Sequence, residues 1–368
     1  MTRSPRLAVC GAGAAGLAIA ADTALKGLDV TLFELPAFAG KLHVLRDRGG
    51  IDVTDDSETT AGRTGFAGLA GVTSDAGEAL DAADVVMVTV PAMYHDAFMD
   101  AIAPHLRAGQ IVLFSTGYWA SLRQTRRLGD EVAEVTLAES NIMPYICQMR
   151  GDAIQIRRYK RHFCVAAFPG ERSIAVYEVV RRIYDQYEAA STVLDTNIAA
   201  AGNPPIHVTL TIPIAGYYFD RYMGGKFYQD ATLPGARLVD AFDAERERLA
   251  QHLGSELFES ELDFDKRSYL YDGTDISEAL RSSPHAQWFA SAAYLEQVCS
   301  EDIVYAFVPM VRLGEALGVE LPITRAMVDI MGVMLGRDYW REGITLEALG
   351  FEGLDVKAVR RLVVTGRA

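Results

Sequence analysis

Cysteine is scarce in this chain. Cys10, Cys147, Cys164 and Cys299 are spread over 368 residues, a spacing that offers neither a disulfide framework nor a metal cluster. The expectation is a soluble protein of a reducing compartment, cytoplasmic, with no resident metal. Positive charge is also short: 35 Lys and Arg stand against 49 Asp and Glu, a formal net charge of −14. That sign argues against nucleic acid or an anionic membrane as a partner. No apolar run reaches the roughly 18 to 20 residues that a membrane span needs. Fixed-period repeats and low-complexity segments are absent too. Arg3 and Arg6, followed by small apolar residues, imitate a secretion signal, but the glycine pattern of the same stretch explains it better.

What is present is a large apolar fraction, 50%, with 23% charged residues, enough to bury a core in two or three domains. Residues 6–10 read as a buried strand that runs into Gly11-Ala-Gly13-Ala14-Ala15-Gly16. An Ala-rich helical stretch follows to Leu25, and Asp29–Glu34 reads as a second strand. In such a unit Gly11 permits the tight turn, Gly13 admits a pyrophosphate and Gly16 allows close helix–strand packing. The N–H groups of Ala14 and Ala15 open the helix toward the phosphates. Glu34 falls where the ribose-binding acid is expected, about 20 residues beyond the glycines. A 2′-phosphate beside it would meet a repulsion of about 4 kcal/mol at ~4 Å and an effective dielectric near 20. NAD is therefore favoured, with NADP left open because Lys41, Arg46 and Arg48 follow closely.

Strands and helices continue to alternate, the mark of a parallel sheet with helical crossovers. Strand-like runs at 84–90, 110–114 and 135–138 end in Val90-Pro91-Ala92, Ser115-Thr116-Gly117 and Glu139-Ser140. The carboxyl ends of such strands line the nicotinamide pocket, so Val90, Pro91, Ala92, Thr116, Gly117 and Glu139 join the expected cofactor set. Two further strands are expected at 153–156 and 163–168, then a helix with Val180, Ile183, Tyr184 and Tyr187 on one buried face. Near 190–205 the alternation stops. Helical stripes follow: Leu238, Phe242, Leu249 and Leu253, then Met327, Ile330, Met331 and Met334 as core filler. The charged stretches 240–248 and 259–267 read as solvated faces. The fold class expected is α/β: an N-terminal Rossmann domain over 1–195 and an all-helical domain over 196–368, with substrate in the cleft between them.

Proton chemistry has few candidates. His207, just after Pro204-Pro205 at the junction, is the best-placed histidine, although a core or capped histidine is commoner. His43, His95, His105, His162 and His252 read as surface positions, and His285 as a loop residue. Ser300-Glu301-Asp302 reads on its own as a helix N-cap followed by first-turn acids.

Taken in order, Gly11-x-Gly-x-x-Gly16, Glu139-Ser140, Asn203-Pro-Pro-Ile-His207, Lys226-Phe-Tyr228, Asp243-x-Glu-Arg246, Glu301-Asp302 and Val308-Pro309 resemble the octopine/nopaline dehydrogenase family over nearly the whole chain. The resemblance implies an opine dehydrogenase, an oxidoreductase acting on CH–NH. Such enzymes join the amino group of an amino acid to a 2-oxo acid, and NAD(P)H reduces the resulting imine. It implies His207 as the catalytic histidine, Asp302 as its aspartate partner, and Ser140, Asn203 and position 297 as substrate-facing. One departure stands out: family members carry an arginine five residues before the aspartate, and this chain has Gln297. Either another cation such as Arg281 or Lys226 grips the substrate carboxylate, or the substrate differs. A related reductase of hydroxy or oxo compounds and a non-catalytic dinucleotide sensor remain as other readings, and a homodimer is left open.

Overall fold

The computed structural model describes residues 3–54, 63–221 and 224–368. The chain divides into two compact units, Met1–Val193 and Leu194–Ala368, each taken here by itself.

Among its described residues the first unit has twelve strands. They are β1 (Leu7–Cys10), β2 (Val30–Phe33), β3 (Gly50–Thr54), β4 (Gly65–Gly68), β5 (Gly71–Thr73), β6 (Val85–Val88), β7 (Ile111–Ser115), β8 (Thr136–Ser140), β9 (Tyr145–Arg150), β10 (Ala153–Tyr159), β11 (Phe163–Phe168) and β12 (Tyr187–Ala189). Eight form the main sheet, in the order β12-β11-β8-β7-β6-β1-β2-β5. All neighbours are parallel except β11 on β8. β1, β6 and β7 are buried along their whole length, which is why they read as unbroken apolar runs. From β1 the chain steps outward to β2 and β5, then returns to β6 on the other side of β1. That reversal is the topological switch point at which open α/β sheets bind ligands, beyond the strands' carboxyl ends.

A second sheet, β4-β3-β10-β9, packs on the helix Ala14–Leu25. The two strands expected at 153–156 and 163–168 are present as β10 and β11, and they belong to different sheets. The helix is consequently covered well beyond one face, and Gly16 through Thr23 are all buried. Asp22, fully buried, pairs with Lys26 Nζ at 2.9 Å and Arg63 Nε at 3.1 Å and accepts from the Tyr159 hydroxyl. Asp22 thereby ties the helix to β10.

The expected helix through Tyr187 stops early. It spans Ser173–Val180, because the Gln186 carbonyl takes the Phe163 N–H at 3.1 Å and draws Tyr187 into β12. The four apolar residues are buried as expected, with Val180 on the helix, Tyr187 on β12, and Ile183 and Tyr184 in the connection between them.

The second unit is helical, apart from a short ribbon of Gly224–Gly225 with Ala290–Ser291. Its longest helix, Leu233–His252, buries Val239, Phe242 and Leu249. The solvated-face reading of 240–248 and 259–267 is overturned: Asp243, Glu245, Arg246, Glu261 and Asp265 are all buried. They are buried because each, Asp265 aside, bonds main-chain groups of other segments or pairs with one that does. The stripe on Pro322–Leu335 is also shifted. Thr324, Met327, Val328 and Met331 face inward, the expected set moved three residues toward the N-terminus, and Ile330 and Met334 are exposed. No helix among the described residues is long and apolar enough to cross a membrane.

Candidate active site

The glycine loop follows β1 directly. Gly11 has φ +112°, and a Cβ there would lie 2.4 Å from Val90 Cγ1. A Cβ on Gly16 would lie 1.8 Å from the Gly11 carbonyl oxygen. A Cβ on Gly13 would meet nothing within 4 Å. Two glycines are thus required by the protein's own packing, while the third borders open space at a helix N-terminus with no acid in its first turn. Free N–H groups, a positive helix end and room for a phosphate fit a dinucleotide.

Glu34 is almost fully buried at the end of β2, with Oε2 accepting from Ala12 N and Oε1 from Leu35 N, both at 2.9 Å. It therefore shapes the glycine loop. Of the three cations that follow, only Lys41 comes close, with Nζ 3.9 Å from Glu34 Oε2. Arg46 donates to the Val72 carbonyl and Arg48 pairs with Asp52. Sequence reasoning missed the aromatic pair beside them. Phe38 and Tyr94, from the segments after β2 and β6, meet edge to face at 6.5 Å and are both 41% exposed. Their only signal in the sequence is an aromatic shortly after each of two strand ends.

Val90, Pro91 and Ala92 occupy the turn after β6, with Val90 and Pro91 half-buried. Thr89, also missed, bridges β6 to β1 through a hydroxyl 2.9 Å from the Cys10 carbonyl. His95 is no surface residue. It is fully buried, with Nε2 3.2 Å from the Val90 carbonyl and its ring against Phe114. Burial, with Arg123 nearby, lowers its pKa to about 3. It is therefore a neutral imidazole holding the Val90 turn from beneath. His162 is buried too, because it precedes the buried strand β11.

Thr116 is half-buried and Gly117 buried at the end of β7. A Cβ on Gly117 would lie 2.3 Å from that of Glu139. Glu139 is fully buried, and its Oε2 accepts from the Ser121 N–H at 2.8 Å and hydroxyl at 2.6 Å. Its carboxylate thus anchors the start of the helix Ala120–Leu128. Ser140 is 1% exposed, its hydroxyl facing the Phe114 carbonyl at 3.5 Å.

In the second unit His207 lies within the helix Pro204–Thr211 rather than at its start. Asn203 precedes the first turn, half-buried, and its carbonyl accepts from the N–H groups of Ile206 and His207. Asp302 closes the helix Ala292–Asp302, immediately before a wide π-helical turn, Ile303–Phe307. The N-cap of that helix is Ser291, which accepts from Tyr294 N, and not Ser300. Ser300 instead bonds the Tyr339 hydroxyl at 2.7 Å. Residues 95 positions apart are thereby joined: His207 Nδ1 lies 2.9 Å from Asp302 Oδ2, both side chains buried. A carboxylate on Nδ1 fixes the ring orientation and leaves Nε2 as the nitrogen for proton exchange. Gln297 is exposed on the same helix as Asp302, about 140° round from it. Lys226 and Arg281 contact neutral oxygens, on Gln287 and Ala231. The His285 side chain lies outside the described residues.

A nucleotide-binding sheet followed by a helical unit with a buried imidazole–carboxylate pair defines an NAD(P)-linked oxidoreductase of two-unit construction. Residues 189–335 match the family model for the alpha-helical domain of NAD/NADP octopine/nopaline dehydrogenase. Residues 39–134 match the NADPH-binding domain of acetohydroxy acid isomeroreductase. An opine dehydrogenase of Arthrobacter sp. (strain 1C) is 29% identical over 99% of this chain and 100% of its own. Protein ocs of Agrobacterium tumefaciens (strain Ach5) is 23% identical over 97% and 98%. Octopine dehydrogenase solved with NADH and agmatine shares the fold, with a TM-score of 0.79 at 17% identity over 99% of both chains. Yersinopine dehydrogenase with NADP+ bound gives 0.65 at 14% over 98% of both. The helical half of the chain thus matches the octopine/nopaline dehydrogenase family model, and the whole chain is similar to opine dehydrogenases.

Proposed function

We propose that this chain is an opine-type dehydrogenase that condenses the amino group of an amino acid, or another amine, with a 2-oxo acid and reduces the resulting imine with NAD(P)H. The observation that carries the reading is the buried His207–Asp302 pair within the segment matching the family's helical-domain model. Relatives support the substrate class: octopine dehydrogenase has been solved with NADH and L-arginine, and with NADH and pyruvate.

The bound nicotinamide supplies the hydride that reduces the C=N bond. The remaining work is proton transfer and positioning. Attack of a neutral amine on the 2-oxo carbon requires removal of an ammonium proton. Loss of water from the resulting carbinolamine requires a proton on the departing hydroxyl. His207 Nε2 serves both steps in this reading, while Asp302 holds Nδ1–H and stabilises the imidazolium. Such help is worth about 10² to 10⁴ in rate. The glycine loop and the Ala14–Ala15 helix start hold the pyrophosphate, and Glu34 takes the ribose hydroxyls, which favours NAD. Ser140, Asn203 and Gln297 are the substrate-facing positions of this reading. Gln297 offers hydrogen bonds and no charge, so the substrate carboxylate needs its cation from elsewhere.

The test is NADH oxidation with a pool of amino acids, a pool of 2-oxo acids, and both together. Turnover only with both supports reductive condensation. Turnover with oxo acids alone identifies a simple reductase, and NADH binding with silence in all three identifies a sensor.

A further inference from the structure

The Asp243-x-Glu245-Arg246 motif has no part in the chemistry above, yet its three charged side chains are buried. Buried ion pairs are costly, and apolar replacements of similar volume are often neutral or stabilising. A geometric task is therefore the better explanation for this one. Arg246 donates from Nε to the Ile198 carbonyl at 3.0 Å and from Nη2 to those of Ala199 at 3.1 Å, Ala200 at 2.8 Å and Glu259 at 3.3 Å. Its Nη1 pairs with Asp243 Oδ1. The other Asp243 oxygen accepts from Glu261 N at 2.7 Å, and Glu261 Oε2 accepts from Gly202 N at 3.1 Å.

These three side chains therefore hold residues 198–202, the lead-in to Asn203 and the His207 helix. Residues 200–202 are themselves neither helix nor strand. The lead-in's rotation and depth depend on the charged grip, and His207 lies only about 6 Å along the axis from Asn203. Glu245, in the same turn, is employed differently. It accepts from the N–H groups of Ile323 and Thr324, both at 2.8 Å, and so caps another helix, Pro322–Leu335.

We propose that Asp243, Arg246 and Glu261 form a latch that sets the position of His207, as positioning residues for its proton transfers; this rests on the catalytic reading of His207. Glu245 is the internal control, since it is a carboxylate just as deeply buried but serves a different helix.

The experiment compares Asp243→Asn, Glu261→Gln, Arg246→Lys and Glu245→Gln in the full-length protein. It reads melting temperature, NADH affinity by fluorescence, kcat, KM and the pH profile of kcat. The first three variants are expected to lose about tenfold to a hundredfold in kcat, the scale of a 1 Å misplacement, with NADH affinity nearly unchanged and a displaced pH profile. Glu245→Gln is expected to lower the melting temperature while keeping kcat and its pH profile. Wild-type kcat in the first three overturns the latch. So does a loss of kcat that follows the loss of stability across all four, which is what a purely structural role produces. Should Arg246→Lys fail to fold, the two isosteric variants decide. Near-normal turnover of His207→Ala is a separate result: it sinks the catalytic reading, and the latch with it.

Discussion

The phosphate loop and the helical site solve the same problem, holding reactive groups still, with different materials. The loop after β1 is made of main chain. Its N–H groups, its helix end and the space at Gly13 carry no ionised side chain of their own, and Glu34 supports it from behind. The helical site is made of side chains: an imidazole on a buried carboxylate, with a second set of buried charges beneath its lead-in. A backbone site fails mainly when a side chain is added. A site of buried charges fails when one hydrogen bond is removed, because the partner is left uncompensated.

The sharpest way to break this contrast is at the glycines. Gly16→Ala is expected to cost the fold itself, since the new methyl group overlaps the Gly11 carbonyl; soluble yield and melting temperature report it. Gly13→Ala should leave melting nearly unchanged and lower NADH affinity, because its methyl group enters only the space meant for phosphate. Equal effects of the two would erase the distinction between packing glycine and ligand glycine. His207→Ala comes next, with turnover expected to fall about 10² to 10⁴ and NADH binding retained.

His95 sharpens the comparison from the other side, as a buried titratable group within the backbone site. Its pKa is lowered to about 3 in the folded chain, against about 6.5 for an unfolded histidine. Between those values the unfolded chain binds the extra proton, so stability is complete above about pH 6.5 and is lost as pH falls toward 3. His95→Gln should flatten that part of an acid melting series, and an unchanged slope would show that other groups govern it. The smallest expected effect is at Lys41. Lys41→Ala should lower NADPH affinity by a few-fold and NADH affinity little, in keeping with one exposed charge in a screened setting. Glu34→Ala should narrow the gap between the two cofactors from the opposite direction.

The same division decides what could be read from sequence. The glycine loop, β1, β2 and β6 were legible because a demand for no side chain, or for apolar side chains throughout, is written directly in residue type. The His207–Asp302 pair was reached only through the family resemblance, since nothing local relates two positions 95 residues apart. Asp243, Arg246 and Glu261 were misread because helical periodicity sorts apolar from polar and does not distinguish a solvated charge from one buried against main-chain carbonyls. Ser300 was misread as a cap for a similar reason: residue type alone does not show that Ser291 precedes the helix and accepts from Tyr294 N while Ser300 lies in its last turn. The small sheet escaped notice because its strands are separated by nearly a hundred residues, β3 and β4 lying far from β9 and β10.

That separation has a consequence during synthesis. The Ala14–Leu25 helix leaves the ribosome early, but its cover includes β10, whose Tyr159 hydroxyl meets Asp22. At translation rates of about 5–20 residues per second, its sticky outer surface waits on the order of ten seconds for that cover. The helix thus stays partly uncovered over that interval, an early segment closed by a late one.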